Sequence, residues 1–334
     1  MIGIRVGDES IVEEHYEGIK SFFNNKTKYT YKKIDNWIRK ITCDKYSFEE
    51  VIKAKPNELE KIIFLVDKYD INKKTMKTIE ITKKIDSGKE KKTIKQKVIF
   101  ELPQNDYMIY VYKKFASEGK DDIDSSKHTY GAINLVNNLG LNVCPYCNRN
   151  FIVNTKAKNK DNKEKFIRTC QLDHFYPESK YPYLALSFYN LIPSCPTCNK
   201  IKLDNLDIRV NPYSIKNSDD NIIFDYDFDK SSNRKIISHR FMSEAFEKNW
   251  KGFGLHELYR LHSDYLNELL MRMQIYNTIY SEDLDHKINA IMSESKEFSA
   301  DDAERIILGN YYKEEDLSKQ PLAKLTKDIY YKYK

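Results

Sequence analysis

The chain has 334 residues, of which 32% are charged and 40% apolar, enough to bury one large core or two smaller ones. Its longest unbroken apolar run, YMIYVY at 107–112, is far short of the roughly eighteen residues that mark a membrane span. A net charge of +6 permits a nucleic-acid partner without demanding one. The opening MIGIRVGDES lacks the basic and apolar regions of a secretory leader. Four of the six cysteines stand in CxxC pairs, which points to a reducing, cytoplasmic setting.

Residues 1–135 read as a mostly helical N-terminal region. Ser10 is placed to cap a helix running to about Phe23. Ile34, Trp37 and Ile41 recur at helical spacing. Pro56 suits the first position of a helix whose apolar face is Leu59, Ile62, Ile63 and Val66. Residues 71–100 change character: ten lysines stand against three acids, a surplus larger than that of the whole chain. Partial alternation around a turn signal, Asp86-Ser87-Gly88, predicts a basic β-hairpin. Such a hairpin could follow a phosphate backbone, or simply be a solvated surface. The run DYMIYVYKKFA from Asp106 fits strand or helix equally. GKDDIDSS at 119–126 reads as a loop, and 128–140 as a short helix closed by Gly140.

The segment 136–210 carries the chemistry. Cys144 and Cys147 form one CxxC turn, Cys195 and Cys198 another, separated by 47 residues. Two such turns can supply the four thiolates of a closed tetrahedral Zn²⁺ site. Disulfides or redox pairs are the alternative, but redox CxxC usually accompanies a βαβ pattern that is absent here. Within the insert, 156–165 is a basic hairpin tip. Phe166–Phe175 predicts a strand ending in Asp173-His174, and Tyr183–Ile192 its hairpin partner across the proline-bearing loop 176–182. A short helix is expected from Pro196. Imidazole can take a proton at neutral pH, and a carboxylate beside it can hold a cation. Lys200 and Lys202 are candidates for phosphate contact. Cys170 reads as a buried strand thiol and Cys43 as core. The remaining histidines (His15, His128, His239, His256, His262 and His286) lack ligand spacing, and His256 and His262 fit one amphipathic helix.

Residues 211–334 read as a mostly helical C-terminal region. NIIFDYDFD at 221–229 alternates as an edge strand would. From Lys251 a helical face is expected through Leu258, Leu261, Tyr265, Leu269, Tyr276 and Tyr280. Further helices are expected at Asp283–Met292, from a cap at Ser299 to Gly309, and from Pro321. There are no internal repeats.

Taken in order, Cys144, Cys147, Asp173, His174, Asn190, Cys195, Cys198 and Asn199 resemble the zinc-stapled branch of the HNH endonuclease family. The resemblance covers about sixty residues and implies an α+β fold: a ββα-metal core stapled by zinc, flanked by helical regions. It implies His174 as general base and Asn190 as the residue that orients it through the hairpin backbone. It also implies Asp173 and Asn199 as ligands of a catalytic Mg²⁺ or Mn²⁺; the family often has His where this chain has Asn199. The implied activity is metal-dependent phosphodiester hydrolysis, with DNA favoured over RNA. The alternatives are the same site acting on RNA such as tRNA, and a non-catalytic zinc module that binds nucleic acid or a partner. The CPYCN turn at 144–148 and the run DHFYPESKYPYLALSFYNL look most similar to bacterial antiphage-defence nucleases that work beside an ATPase. No P-loop is present, so that ATPase would be a separate subunit. A homodimer would explain double-strand cuts, though nothing in the sequence requires one.

Overall fold

The computed structural model describes residues 1–23, 29–72, 78–82, 93–97, 103–117, 130–158, 164–231, 233–278 and 300–333. The first helix, α1 (Ser10–Lys20), starts one residue earlier than a Ser10 cap would place it: the Asp8 carboxylate accepts the Ser10 N–H at 2.8 Å. Its inner face is Val12, His15, Tyr16 and Ile19. Helix α2 (Tyr31–Ile41) buries Ile34, Trp37, Ile38 and Ile41, as the helical spacing predicts. Fully buried aliphatic side chains of this kind contribute roughly 1.5–3 kcal/mol each. Helix α3 (Phe48–Lys53) opens with a reciprocal Ser47–Glu50 capping box. Helix α4 begins at Pro56 and runs to Asn72, burying Leu59, Ile62 and Val66.

The basic segment does form an antiparallel hairpin, β1 (Thr78–Thr82) against β2 (Thr93–Lys97). Its Asp86-Ser87-Gly88 turn lies outside the described residues, as does the 119–126 loop. The ambiguous run after Asp106 is helix α5 (Pro103–Ser117), decided by the burial of Met108, Val111 and Phe115 on one face. Helix α6 (Ala132–Leu139) ends at Gly140, whose φ of +62° is the left-handed cap that glycine adopts freely.

Two hairpins occupy the insert between the cysteine pairs. β3 (Asn154–Lys158) pairs with β4 (Glu164–Arg168); the basic tip at 159–163 is outside the described residues. β5 (Gln171–His174) pairs antiparallel with β6 (Leu191–Ser194), and Asp173 faces Ile192 while His174 faces Leu191 across the register. Helix α7 (Pro196–Lys202) follows and packs on β5, completing a ββα unit. The expected strand is thus corrected at both ends. Phe166–Arg168 belong to the neighbouring hairpin, and 183–190 hold no strand but lie across two short 3₁₀ turns, Pro182–Leu184 and Phe188–Asn190. Side chains rather than a strand partner meet the carbonyls of this stretch: Asn190 that of Leu184, His174 that of Ala185 and His15 that of Leu186.

In the C-terminal region β7 (Ile222–Asp229) pairs with β8 (Arg234–Phe241) along their full length. The helical face expected from Lys251 is broken into α8 (Glu244–Gly252), α9 (Leu255–Arg260) and α10 (Ser263–Thr278). Gly254 at φ +60° turns the chain, and Leu261 is 75% exposed at the second break instead of buried. His262 therefore lies beyond the helix that holds His256. Then come α11 (Ala300–Leu308), closed by Gly309, and α12 (Ala323–Tyr333). The Asp283–Met292 helix, the Ser299 cap, His128 and His286 fall outside the described residues.

The first cysteine turn is a hub. Asn148, fully buried at φ +51°, donates to the Leu317 carbonyl and accepts the Lys324 N–H through its side chain; its own carbonyl accepts the Leu322 N–H. Tyr259 donates to the Cys147 carbonyl at 2.7 Å. Helix α12 is further fixed by buried Lys324, whose Nζ meets Asp328 and Asp219 at 2.6 and 2.7 Å. Among the described residues no helix is long and apolar enough to cross a membrane.

Candidate active site

The four cysteines converge as their spacing predicts. The sulfurs of Cys144, Cys147, Cys195 and Cys198 all lie within 4.8 Å of one another, and every one of these residues is at most 1% exposed. Tetrahedral Zn²⁺ with bonds of about 2.3 Å needs sulfurs roughly 3.8 Å apart, so the set fits zinc. Asn150 donates its amide to Cys195 Sγ at 3.3 Å, and the Cys198 N–H reaches the same sulfur at 3.5 Å. The neighbouring thiols, Cys144 first, and the Asn150 amide hold Cys195 toward the thiolate a metal requires. Cys170 is buried but outside this cluster, as expected; Cys43 is exposed, not core.

His174 closes β5. Its Nε2 lies 2.9 Å from the Ala185 carbonyl, which can only accept, so Nε2 carries the proton and Nδ1 the lone pair. Burial pushes its pKa down to about 4, against the pull of that carbonyl, so the ring is neutral at pH 7. The Tyr112 ring from α5 packs edge-on at 4.3 Å, and Tyr112 itself donates to the Leu172 carbonyl. Nδ1 points toward Glu178, with Oε2 at 3.9 Å. That is too long for a direct hydrogen bond.

Asn190 is fully buried and closes the loop like an extra rung of sheet. Its Nδ2 donates to the carbonyls of Tyr176 and Leu184, and its Oδ1 accepts the Tyr176 N–H at 2.7 Å. It positions the segment that holds the His174 ring. The N-terminal helices grip the same segment. His15 Nε2 donates to the Leu186 carbonyl at 2.9 Å while its Nδ1 accepts from Tyr130, and Ser187 donates to the Val51 carbonyl. Two neutral histidines therefore hold successive carbonyls, 185 and 186. Lack of ligand spacing hid His15, because its partners are 115 and 171 residues away.

Asp173, one residue along the strand, faces α7. Its carboxylate accepts Tyr146 O–H at 2.6 Å and Lys202 Nζ at 3.1 Å, and Lys202 also donates to the His174 carbonyl. Lys202 is fully buried, which corrects its assignment as a phosphate contact: an ammonium enclosed by Asp173 and a carbonyl meets no backbone phosphate. Burial pushes Asp173 up to about 6 despite Lys202, and pushes Lys202 down despite Asp173. At pH 7 the two form a neutralised pair. A divalent ion at Asp173 would have to displace the ammonium, so this carboxylate as placed does not fit Mg²⁺ or Mn²⁺. Asn199 is half-buried, with Nδ2 donating to Gln171 Oε1 at 2.8 Å. Lys200 is exposed on the same helix. Glu178, Tyr146 and Tyr112 escaped the sequence reading; the only sequence signal for Glu178 is its place four residues after His174.

Residues 144–205 match the family model described as HNH endonuclease, about a fifth of the chain. No curated protein and no solved structure matches the chain. The matched stretch begins at the first cysteine of the cluster and runs through the Asp173-His174 strand and α7, so the chain carries an HNH endonuclease domain with four cysteines placed for zinc.

Proposed function

We propose that the protein is an HNH endonuclease that hydrolyses phosphodiester bonds in DNA, with His174 Nδ1 as the base that takes a proton from the attacking water. The observation that carries this reading is the pinned, neutral imidazole: Nε2 is committed to Ala185, which leaves the basic nitrogen at a fixed place. Water loses its proton to Nδ1, its oxygen forms the new bond to phosphorus, and the scissile P–O bond breaks. Asn190 acts through the backbone it fastens. Exposed Lys200 is suited to meet the phosphate chain, as is the basic β1–β2 segment. Zinc at the four cysteines would hold the two ends of the insert together, and no reacting group needs to touch it. A role in bacterial antiphage defence beside a separate ATPase subunit rests on the likeness of the CPYCN turn at 144–148 and of the 173–191 run.

The test is cleavage of plasmid DNA and of total RNA by wild type and His174→Ala, with Mg²⁺, Mn²⁺ or EDTA. Zinc content is measured in every arm, so that loss of the staple is not mistaken for loss of a catalytic ion. Wild type should cut DNA, and the variant should fall by about 10²–10⁴-fold. A zinc-loaded wild type that cuts neither polymer under any condition would overturn the reading in favour of a binding module.

A further inference from the structure

The His174 ring presents its basic nitrogen to Oε2 of Glu178. Glu178 Oε2 is buried and has no hydrogen-bond partner among the described residues, although the glutamate as a whole is about one-third exposed. A buried carboxylate oxygen is costly unless a donor reaches it. Glu178 sits on the turn after Pro177, whose carbonyl accepts the N–H groups of Lys180 and Tyr181 at 3.0 and 2.8 Å. Helix α5 backs both members of the pair: Tyr112 packs on the imidazole, and Lys113 places a positive charge near the carboxylate.

Resting on the nuclease reading, we propose that Glu178 is a second catalytic residue, which seats the attacking water jointly with His174. Two acceptors 3.9 Å apart cannot bond to each other, but one water about 2.8 Å from each can donate a proton to both. His174 alone would leave that water free to turn about a single hydrogen bond. With its second O–H held by Glu178 Oε2, the water's lone pair has a fixed direction, which is the kind of orientation that lowers a barrier before any chemistry begins. In the step itself the O–H facing Nδ1 breaks and its proton goes to His174. The O–H facing Glu178 stays intact, the oxygen bonds to phosphorus, and the displaced alkoxide takes a proton from solvent. Asp173 cannot fill this role, because Tyr146 and Lys202 already donate to its carboxylate.

The test compares steady-state cleavage of plasmid by wild type, Glu178→Leu, Glu178→Gln and His174→Ala, with zinc content and melting temperature measured on each. Leucine removes the acceptor and should lower kcat by about tenfold or more while KM stays within about twofold. Glutamine keeps one acceptor oxygen and should recover most of that loss. The variant Glu178→Leu with His174→Ala should be no slower than His174→Ala alone, since both groups act on one water. If wild type cuts, His174→Ala does not, and Glu178→Leu keeps the wild-type kcat, the joint seat is wrong while the nuclease reading survives. A Glu178→Leu defect confined to KM would also overturn it. If folded, zinc-loaded wild type cuts nothing, both fall together.

Discussion

The cysteine cluster and the base hairpin lie in the same short domain and treat polar groups in opposite ways. At the cluster four sulfurs point inward at one another, and the backbone around them is tied off by Asn148, Asn150 and Tyr259. At the hairpin the Ala185 carbonyl meets His174 Nε2, while Glu178 Oε2, 3.9 Å from His174 Nδ1, has no hydrogen-bond partner among the described residues. The first region is placed to be completed by a bound ion. On the nuclease reading, the second would be completed by the attacking water.

The sharpest way to break this comparison is at the cluster. Cys198→Ser should abolish zinc retention and cooperative melting, since structural zinc is worth roughly 10–16 kcal/mol in small zinc domains. A variant that still melts cooperatively without zinc would show that the packed core alone suffices. Next in size is the buried pair beside the base. Lys202→Met leaves Asp173 enclosed without its counter-charge, so that it must stay buried unpaired or take up a proton, and should cost about 3–5 kcal/mol by denaturant unfolding at pH 7. Adding Asp173→Asn should return most of that, and an unimproved double variant would mean that the lysine matters for its packing alone.

A smaller effect lies in the protonation of His15. His15 is buried neutral, with its pKa pushed down to about 4 by burial. Unfolding returns it to about 6.5, so between these values the unfolded chain binds more protons and stability falls as pH drops. His15 should account for about 2 kcal/mol of the stability lost between pH 7 and 5, and His15→Asn should flatten that part of the profile. Equal slopes in the two proteins would remove His15 from the account. Smallest is Ser187→Ala, which deletes one hydrogen bond to Val51 and should cost about 1 kcal/mol. If the N-terminal helices do hold the loop, both this variant and His15→Asn should also slow cleavage.

What the sequence disclosed follows the range of the forces involved. The cluster was legible because each CxxC turn is local and one metal demands four thiols. Helices α2 and α4 were legible because their burial follows a single period. The 183–190 run was misread as strand because its aromatic and aliphatic content has β character. Its actual shape is set by His15, His174 and Asn190, groups that meet it only in three dimensions. Lys202 was assigned to phosphate contact by its charge, and Asp173 and the His174 carbonyl, 29 and 28 residues earlier, account for its burial. The break at Leu261 was invisible for a related reason: a periodic apolar pattern continues across it, while the chain turns at Gly254 and again before Ser263.

The bonds from Asn148 to Leu317, Leu322 and Lys324 join the first cysteine turn to residues made some 170 positions later. Synthesis runs in one direction, so the hub waits on the ribosome. A nascent chain stopped before Leu317 has all four cysteines, the strand with His174 and the whole of α7, but not the carbonyl and amides that lock the turn in its left-handed shape. The nuclease domain is thus completed only once Lys324 has been made, and a fragment that stops before Leu317 carries Asp173 and His174 without the frame that holds them.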